Sequence, residues 1–256
     1  INNKEKILIY GDYDVDGVAS TALLTNFLRQ KSNNIFPYIP DRETEGYGVS
    51  VNGIKKAIKK QVSLIISIDC GIKALKEVEY AKKNNIDFII CDHHLPESEI
   101  PNAIAVLDPK RVDCKYPFKE LCGCGIGFKL IQALSLEWDI DTRQLINYLD
   151  LVSLATVADQ VPLYDENRII TYLGLEQINK KPRPGIKALL SDFKGDEIST
   201  STLVFKLSPK VNAAGRMKHA NLALELLMCE KLEHTVNLSE QISSINIERR
   251  EEDKKT

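Results

Sequence analysis

The first apolar run of the chain, Ile7, Leu8 and Ile9, empties into Gly11-Asp12-Tyr13-Asp14-Val15-Asp16-Gly17, after which Val18, Ala22, Leu23 and Phe27 return at helical spacing. This order predicts a strand, a loop that carries the acids, and a helix over residues 18–30. The alternation then repeats. Residues 35–39 read as a second strand, 40–48 as a polar loop and 49–60 as a helix. Residues 63–69 form a continuous β-rich run (Leu64, Ile65, Ile66, Ile68) that ends at Asp69-Cys70-Gly71, and 73–84 have helical periodicity. Residues 86–91 are another run of the buried type and end at Asp92-His93-His94, and 103–107 form a short strand before Asp108-Pro109. Continuous apolar runs suit strands covered on both faces. Strands alternating with helices predict the α/β class, with a parallel, doubly wound sheet.

Beyond residue 141 the pattern is helical with few strands: 141–155, 166–179, 184–193 and 199–206. A glycine-rich stretch, 121–127, leads into a helix over 128–138, and Lys180-Lys181-Pro182-Arg183 reads as a solvated loop. Ser208 to Met217 reads as a proline-bounded loop whose small-residue turn presents Asn212 and Arg216. From Ala220 onward Leu222, Leu226, Leu232, Val236, Ile242 and Ile245 predict one long helix. The expected organisation is an α/β part over 1–140, a mostly helical part of the same domain over 141–218, and a linker helix over 219–256. The chain does not begin with Met and closes on a charged stretch, so we expect a piece of a longer protein that continues beyond the linker.

Composition is that of an ordinary globular chain, 43% hydrophobic and 27% charged over 256 residues, which argues against disorder or a fibre. A net charge of −2 provides no basic field, so a polyanionic partner must be met by a local patch or through metal ions. The six cysteines include no CxxC pair, and Cys122-Gly123-Cys124 lacks the second half of a zinc site. We read them as reduced thiols of a cytoplasmic protein. There is no signal peptide and no run long enough to cross a membrane.

Successive strands of such a sheet deliver their carboxyl ends to one edge, where ligands bind. Topology alone therefore gathers Asp12, Asp14, Asp16, Asp69, Asp92 and His93. Carboxylates this close repel one another when ionised, and Mg²⁺ or Mn²⁺ is the usual remedy. An Asp-rich helix cap is the other reading of the first loop, and a calcium loop lacks its closing Glu. His93 and His94 follow an acid at a strand's end, which favours ligation over core packing. The alternative has Asp92 capping the next turn and His94 packing beside Pro96. Asp159 is a lone acid in the apolar segment 155–162 and wants a cation. Arg216 can fork two phosphate oxygens, or can be a surface residue of a capping loop.

Taken together, the first acidic motif, Asp69-Cys70-Gly71, Asp92-His93-His94, the segment from Ala155 to Asp159 and the stretch from Ser208 to Met217 resemble the DHH phosphoesterase superfamily. Within it they are similar to the RecJ-type single-strand-specific exonucleases. The resemblance implies that Asp14, Asp16, Asp69, His93 and Asp159 hold two Mn²⁺ or Mg²⁺ ions, with Asp69 bridging. Many members place a histidine where this chain has Tyr10, so either Asp12 substitutes for it or one metal is more weakly held. Asp92 would orient the site, and His94, Arg216 and Asn212 would contact phosphate. The implied reaction is two-metal, in-line hydrolysis of single-stranded DNA from the 5′ end to 5′-mononucleotides, in DNA repair and recombination. Single-stranded DNA is the implied partner, together with a single-stranded-DNA-binding protein and a helicase, and Tyr47, Tyr116 and Phe118 are the aromatic residues available to track a strand. Two competing readings are a DHH phosphodiesterase of short oligoribonucleotides or cyclic dinucleotides, and a non-catalytic, replication-associated relative.

Overall fold

The computed structural model describes residues 4–217 and 220–254. Five parallel strands, β1 (Ile7–Tyr10), β2 (Ile35–Tyr38), β3 (Leu64–Ile68), β4 (Asp87–Cys91) and β5 (Ala105–Leu107), form one sheet in the order β2-β1-β3-β4-β5. The chain steps outward from β1 to β2, then crosses back to place β3 on the other side of β1. That reversal puts the switch point between the tips of β1 and β3, where an open sheet leaves a crevice. Register aligns the tips, since Tyr10 lies beside Ser67, Ile68 beside Cys91, and Cys91 beside Leu107.

The pleat divides the apolar residues between two layers. Leu8, Tyr10, Ile65 and Ile90 face α3 (Val51–Lys59) and α4 (Leu75–Lys83), whereas Ile7, Ile9, Ile66 and Ile68 belong to the larger core around α1 (Val15–Arg29). The short α2 (Arg42–Glu45) interrupts the loop after β2. On the α1 side follow α5 (Gly123–Glu137), a 3₁₀ segment (Thr142–Tyr148), α6 (Leu149–Ala158), α7 (Asp165–Lys180) and α8 (Pro184–Leu189). A single turn, α9 (Thr200–Thr202), runs through a π segment (Leu203–Leu207) into α10 (Ser208–Met217), and α11 (Asn221–Met228) and α12 (Leu232–Asp253) close the described chain. α5, α6, α10 and α11 all pack on α1, so the helical part shares one core with the sheet.

The doubly wound α/β sheet is as the pattern predicts, and four local expectations are corrected. Residues 208–217 are a helix, not a loop: Pro209 lies in its first turn, where a missing N–H is harmless, and the small residues mark close packing. α5 begins at Gly123, five residues ahead of the expected start, and Cys122 caps it by accepting from the Gly125 amide through Sγ. The terminal helix is two helices, broken where Cys229 turns extended. Arg183 is not solvated: its side chain is 12% exposed and grips the buried Asp150 with two 2.7 Å hydrogen bonds, while also donating to the Leu227 carbonyl. All six cysteines are free thiols. No helix among the described residues is long and apolar enough to cross a membrane.

Candidate metal centre

The centre lies at the switch point and is assembled from four chain segments. The β1–α1 junction brings Asp12 and Asp14 from the loop and Asp16 from the first turn of α1, the tip of β3 brings Asp69, the tip of β4 brings Asp92, His93 and His94, and the C-terminal end of α6 brings Asp159. Gly17 makes the first loop possible, since a Cβ there would stand 2.4–2.6 Å from backbone atoms of Asp12. Asp69 occupies the left-handed region at φ 60°, a conformation costly for a residue with a side chain and typical of functional positions. Above it passes the first turn of α5, where a Cβ on Gly123 would come within 2.6 Å of the Asp69 Cβ.

Three sets of ligand atoms each lie within 4.8 Å of one another: Asp69 with His93 and His94, Asp16 with His93 and Asp159, and Asp12 with Asp14 and Asp69. The sets overlap through Asp69 and His93, so they form one continuous chain of donors. His93 Nε2 sits 3.1 Å from Asp69 Oδ1, 3.7 Å from Asp159 Oδ2 and 3.8 Å from Asp16 Oδ2. Asp16 is fixed by α5, because the amides of Gly123 and Cys124 donate to its two oxygens at 2.6 and 2.7 Å. These are the free N–H groups of a helix N-terminus, which favour a negative charge. The free amides at the end of the glycine-rich stretch thus serve a carboxylate. Sequence reasoning missed this partner, and the glycine at the helix start was the signal for it.

Asp92 is held at the tip of β4 by hydrogen bonds to both of its oxygens. Its Oδ1 accepts from the amides of His93 and His94 and pairs with His94 Nδ1 at 2.7 Å, and its Oδ2 accepts from the Ile72 amide. Burial alone would raise its pKa, but these bonds, led by that to His94, hold it below the usual carboxylate value. The same pair raises His94. For the other acids burial and neighbouring carboxylates outweigh any hydrogen bonds, the two α5 amides on Asp16 included. Burial first, then the Asp14 carboxylate, pushes Asp12 up to about 7, and neither Asp12 oxygen has a well-formed hydrogen bond. Burial and then Asp159 raise Asp16 to about 8, burial and then Asp14 raise Asp159 to about 6, and burial followed by Asp16 drives Asp69 well above its ordinary value. His93 is held down to about 4, chiefly by burial, and so is neutral and able to donate a lone pair. Buried acids that repel one another, two orphaned carboxylate oxygens and a neutral imidazole fit a hard divalent cation such as Mn²⁺ or Mg²⁺.

Asn212 and Arg216 lie on α10, which is laid against the acidic loop. A Cβ on Gly215 would stand 2.2 Å from the Tyr13 carbonyl oxygen, and Asn212 Oδ1 accepts from the Val15 amide at 3.2 Å. Arg216 is exposed in the last turn of the helix. Tyr10, where the resemblance leads one to expect a histidine, points into the α3 layer and bonds Gly48 and Ser50, away from the acids. Of the three aromatic residues named for tracking a strand, Phe118 is core and Tyr116 is tied to Glu166. Only Tyr47 is at the site, where its hydroxyl meets His94 Nε2 at 3.0 Å.

A fold and a site of this kind define a class, and the model of the DHH family's N-terminal domain matches residues 6–156. The chain belongs to the DHH family. Among individual proteins it is 43% identical over 251 residues to the single-stranded-DNA-specific exonuclease RecJ of Bacillus subtilis (strain 168), covering 97% of this chain and 31% of that protein. It is 38% identical over 259 residues to RecJ of Escherichia coli (strain K12), covering 96% and 45%. A crystal structure of exonuclease RecJ bound to manganese superposes with a TM-score of 0.89 at 29% identity, covering 98% of this chain and 63% of that one. RecJ of Thermus thermophilus in complex with Mn²⁺ superposes with 0.85 at 26% identity, covering 97% and 36%. The chain therefore spans less than half the length of these curated relatives.

Proposed function

We propose that this chain carries the nuclease centre of a RecJ-type exonuclease and hydrolyses single-stranded DNA from the 5′ end to 5′-mononucleotides, in DNA repair and recombination. The observation that carries the reading is the overlap of the three donor sets, which gives Asp69 a place in two of them. Asp14, Asp16, Asp69, His93 and Asp159 would hold two Mn²⁺ or Mg²⁺ ions, with Asp69 common to both and Asp12 supplying the donor that Tyr10 does not. Bound ions would supply Lewis-acid activation of the phosphoryl group and a more acidic water, the two services such pairs perform.

The protein's own groups do the rest. The α5 amides hold Asp16 in one orientation, so no reorganisation is needed as charge develops. Asp92 holds His94 by Nδ1 and favours its protonated form, so the ring would face the phosphoryl group as a positive charge held in place. Arg216 presents a guanidinium to the same group, and Asn212, its carbonyl spent on Val15, offers its amide nitrogen. A helicase that exposes the strand and a single-stranded-DNA-binding protein that keeps it open are the partners this reading calls for.

The test is hydrolysis of a 5′-labelled single-stranded oligomer with Mn²⁺, beside a duplex, a dinucleotide and the Asp69→Ala variant. Labelled mononucleotide released from the single strand alone, and lost in the variant, is the expected result. Cleavage of the dinucleotide alone, or cleavage that survives Asp69→Ala, would overturn it.

A further inference from the structure

His94 has two ring nitrogens and a partner on each: Asp92 Oδ1 at 2.7 Å from Nδ1 and the Tyr47 hydroxyl at 3.0 Å from Nε2. An imidazole bonded at one nitrogen still swings about that bond, and a second contact on the far side removes the freedom. We propose that Tyr47 is a positioning residue that acts through His94, its hydroxyl closing the Nε2 side of the ring that Asp92 closes at Nδ1. This rests on the reading in which His94 faces the phosphoryl group.

Three observations support it. Tyr47 is 56% exposed, so burial in the core does not decide where it points. Its ring is wedged edge-on between two parts of the centre, 6.3 Å from Tyr13 of the acidic loop and 6.0 Å from His94. Its backbone is flanked by Gly46 at φ 80° and Gly48 at φ 76°, a conformation side chains rarely adopt, and a Cβ on Gly46 would meet nothing. The glycine at 46 therefore answers to chain direction and not to crowding, and the direction aims the phenol at His94. A hydroxyl also suits the task chemically. With Nδ1–H given to Asp92, a neutral ring accepts from Tyr47 O–H at Nε2, and an imidazolium donates to the same oxygen, so the bond survives either state.

A double-mutant cycle on the complete chain tests the proposal: Tyr47→Phe, His94→Ala and both together, assayed on single-stranded DNA with Mn²⁺. Tyr47→Phe is expected to lower kcat about 2- to 13-fold, the rate equivalent of one neutral hydrogen bond, with KM unchanged. In the His94→Ala background the same change is expected to have no further effect. An equal loss in both backgrounds, or a loss expressed in KM, would show Tyr47 acting on substrate directly and overturn the proposal. The imidazole nitrogen resonances of His94, recorded without DNA or metal, provide a second readout. A shift of Nε2 in Tyr47→Phe is expected, and an unmoved resonance would overturn the proposal. If the wild-type chain is inert on DNA, the reading of function fails while the resonance still decides the contact.

Discussion

Gly123 is the position where fold and chemistry meet most tightly, and replacing it by alanine separates their contributions. The added Cβ would stand 2.6 Å from Asp69 Cβ and 2.8 Å from both its Cα and Oδ1. Carbon atoms in contact prefer about 3.5–4.0 Å, so α5 or Asp69 must yield by roughly 1 Å. Either movement harms the centre: a displaced α5 withdraws the two amides from Asp16, and a displaced Asp69 leaves the donor chain it joins. A misplacement of about 1 Å lowers rates on the order of 100-fold. Overpacking costs about 1–3 kcal/mol of stability, and alanine's advantage over glycine in a helix returns up to about 1 kcal/mol. The expected result is therefore a disproportion, a variant still folded at room temperature whose Mn²⁺-dependent hydrolysis of single-stranded DNA is lost about 100-fold. Thermal melting and initial rates on the same preparation measure both. A variant that keeps its rate, or loses it only as far as it unfolds, would refute the argument that α5 and Asp69 set the centre's geometry.

Other outcomes follow from the same geometry. Asp12, Asp16 and Asp159, at about 7, 8 and 6, and Asp69 above its ordinary value, all bind protons more tightly folded than unfolded, where an Asp titrates near 3.9. Their contribution to stability is fully present below about pH 4 and lost as pH rises through 6 to 8, whereas His93, at about 4, acts in the opposite sense only below about pH 6.5. The melting temperature of the metal-free chain should fall between about pH 6.5 and 8.5, and Mn²⁺ should raise it more at the upper end; a metal-free chain that gains stability over that range would contradict the assignment. Arg183→Leu leaves Asp150, 1% exposed, without its partner and should cost about 3–5 kcal/mol in urea unfolding, with less than about 1 kcal/mol counting against a buried pair. Gly215→Ala drives a methyl into the Tyr13 carbonyl, 2.2 Å away, and should lower hydrolysis at least about tenfold by pushing α10 off the acidic loop; an unchanged rate would separate Asn212 and Arg216 from the reaction.

Much of the centre was legible because parallel strands obey a strong rule. Continuous apolar runs ending in Asp69 and Asp92 need no structure to be placed side by side, since the sheet aligns its carboxyl ends. The helical half was less legible. Ser208 to Met217 has the proline and small residues of a turn, but it is a helix, and the close approach to Tyr13 explains its glycine at 215. Arg183 sits in a basic stretch that reads as solvent-facing, and its partner Asp150 lies in a different helix, beyond the reach of any local pattern. The cradle for Asp16 was hidden for the same reason: a glycine before a helix announces free amides without saying which anion they meet. Tyr47 was visible as an aromatic residue between glycines, but its bond to His94 is a tertiary fact.

The central claim is that the overlapping donors form one site for two ions joined by Asp69, and a Mn²⁺ titration followed by calorimetry and electron paramagnetic resonance tests it most directly. Two equivalents bound to the wild-type chain, with the spectrum of a coupled pair, and loss of the coupling in Asp69→Ala, is the result the account predicts. A single equivalent, or a coupled pair that persists without the Asp69 carboxylate, would contradict it.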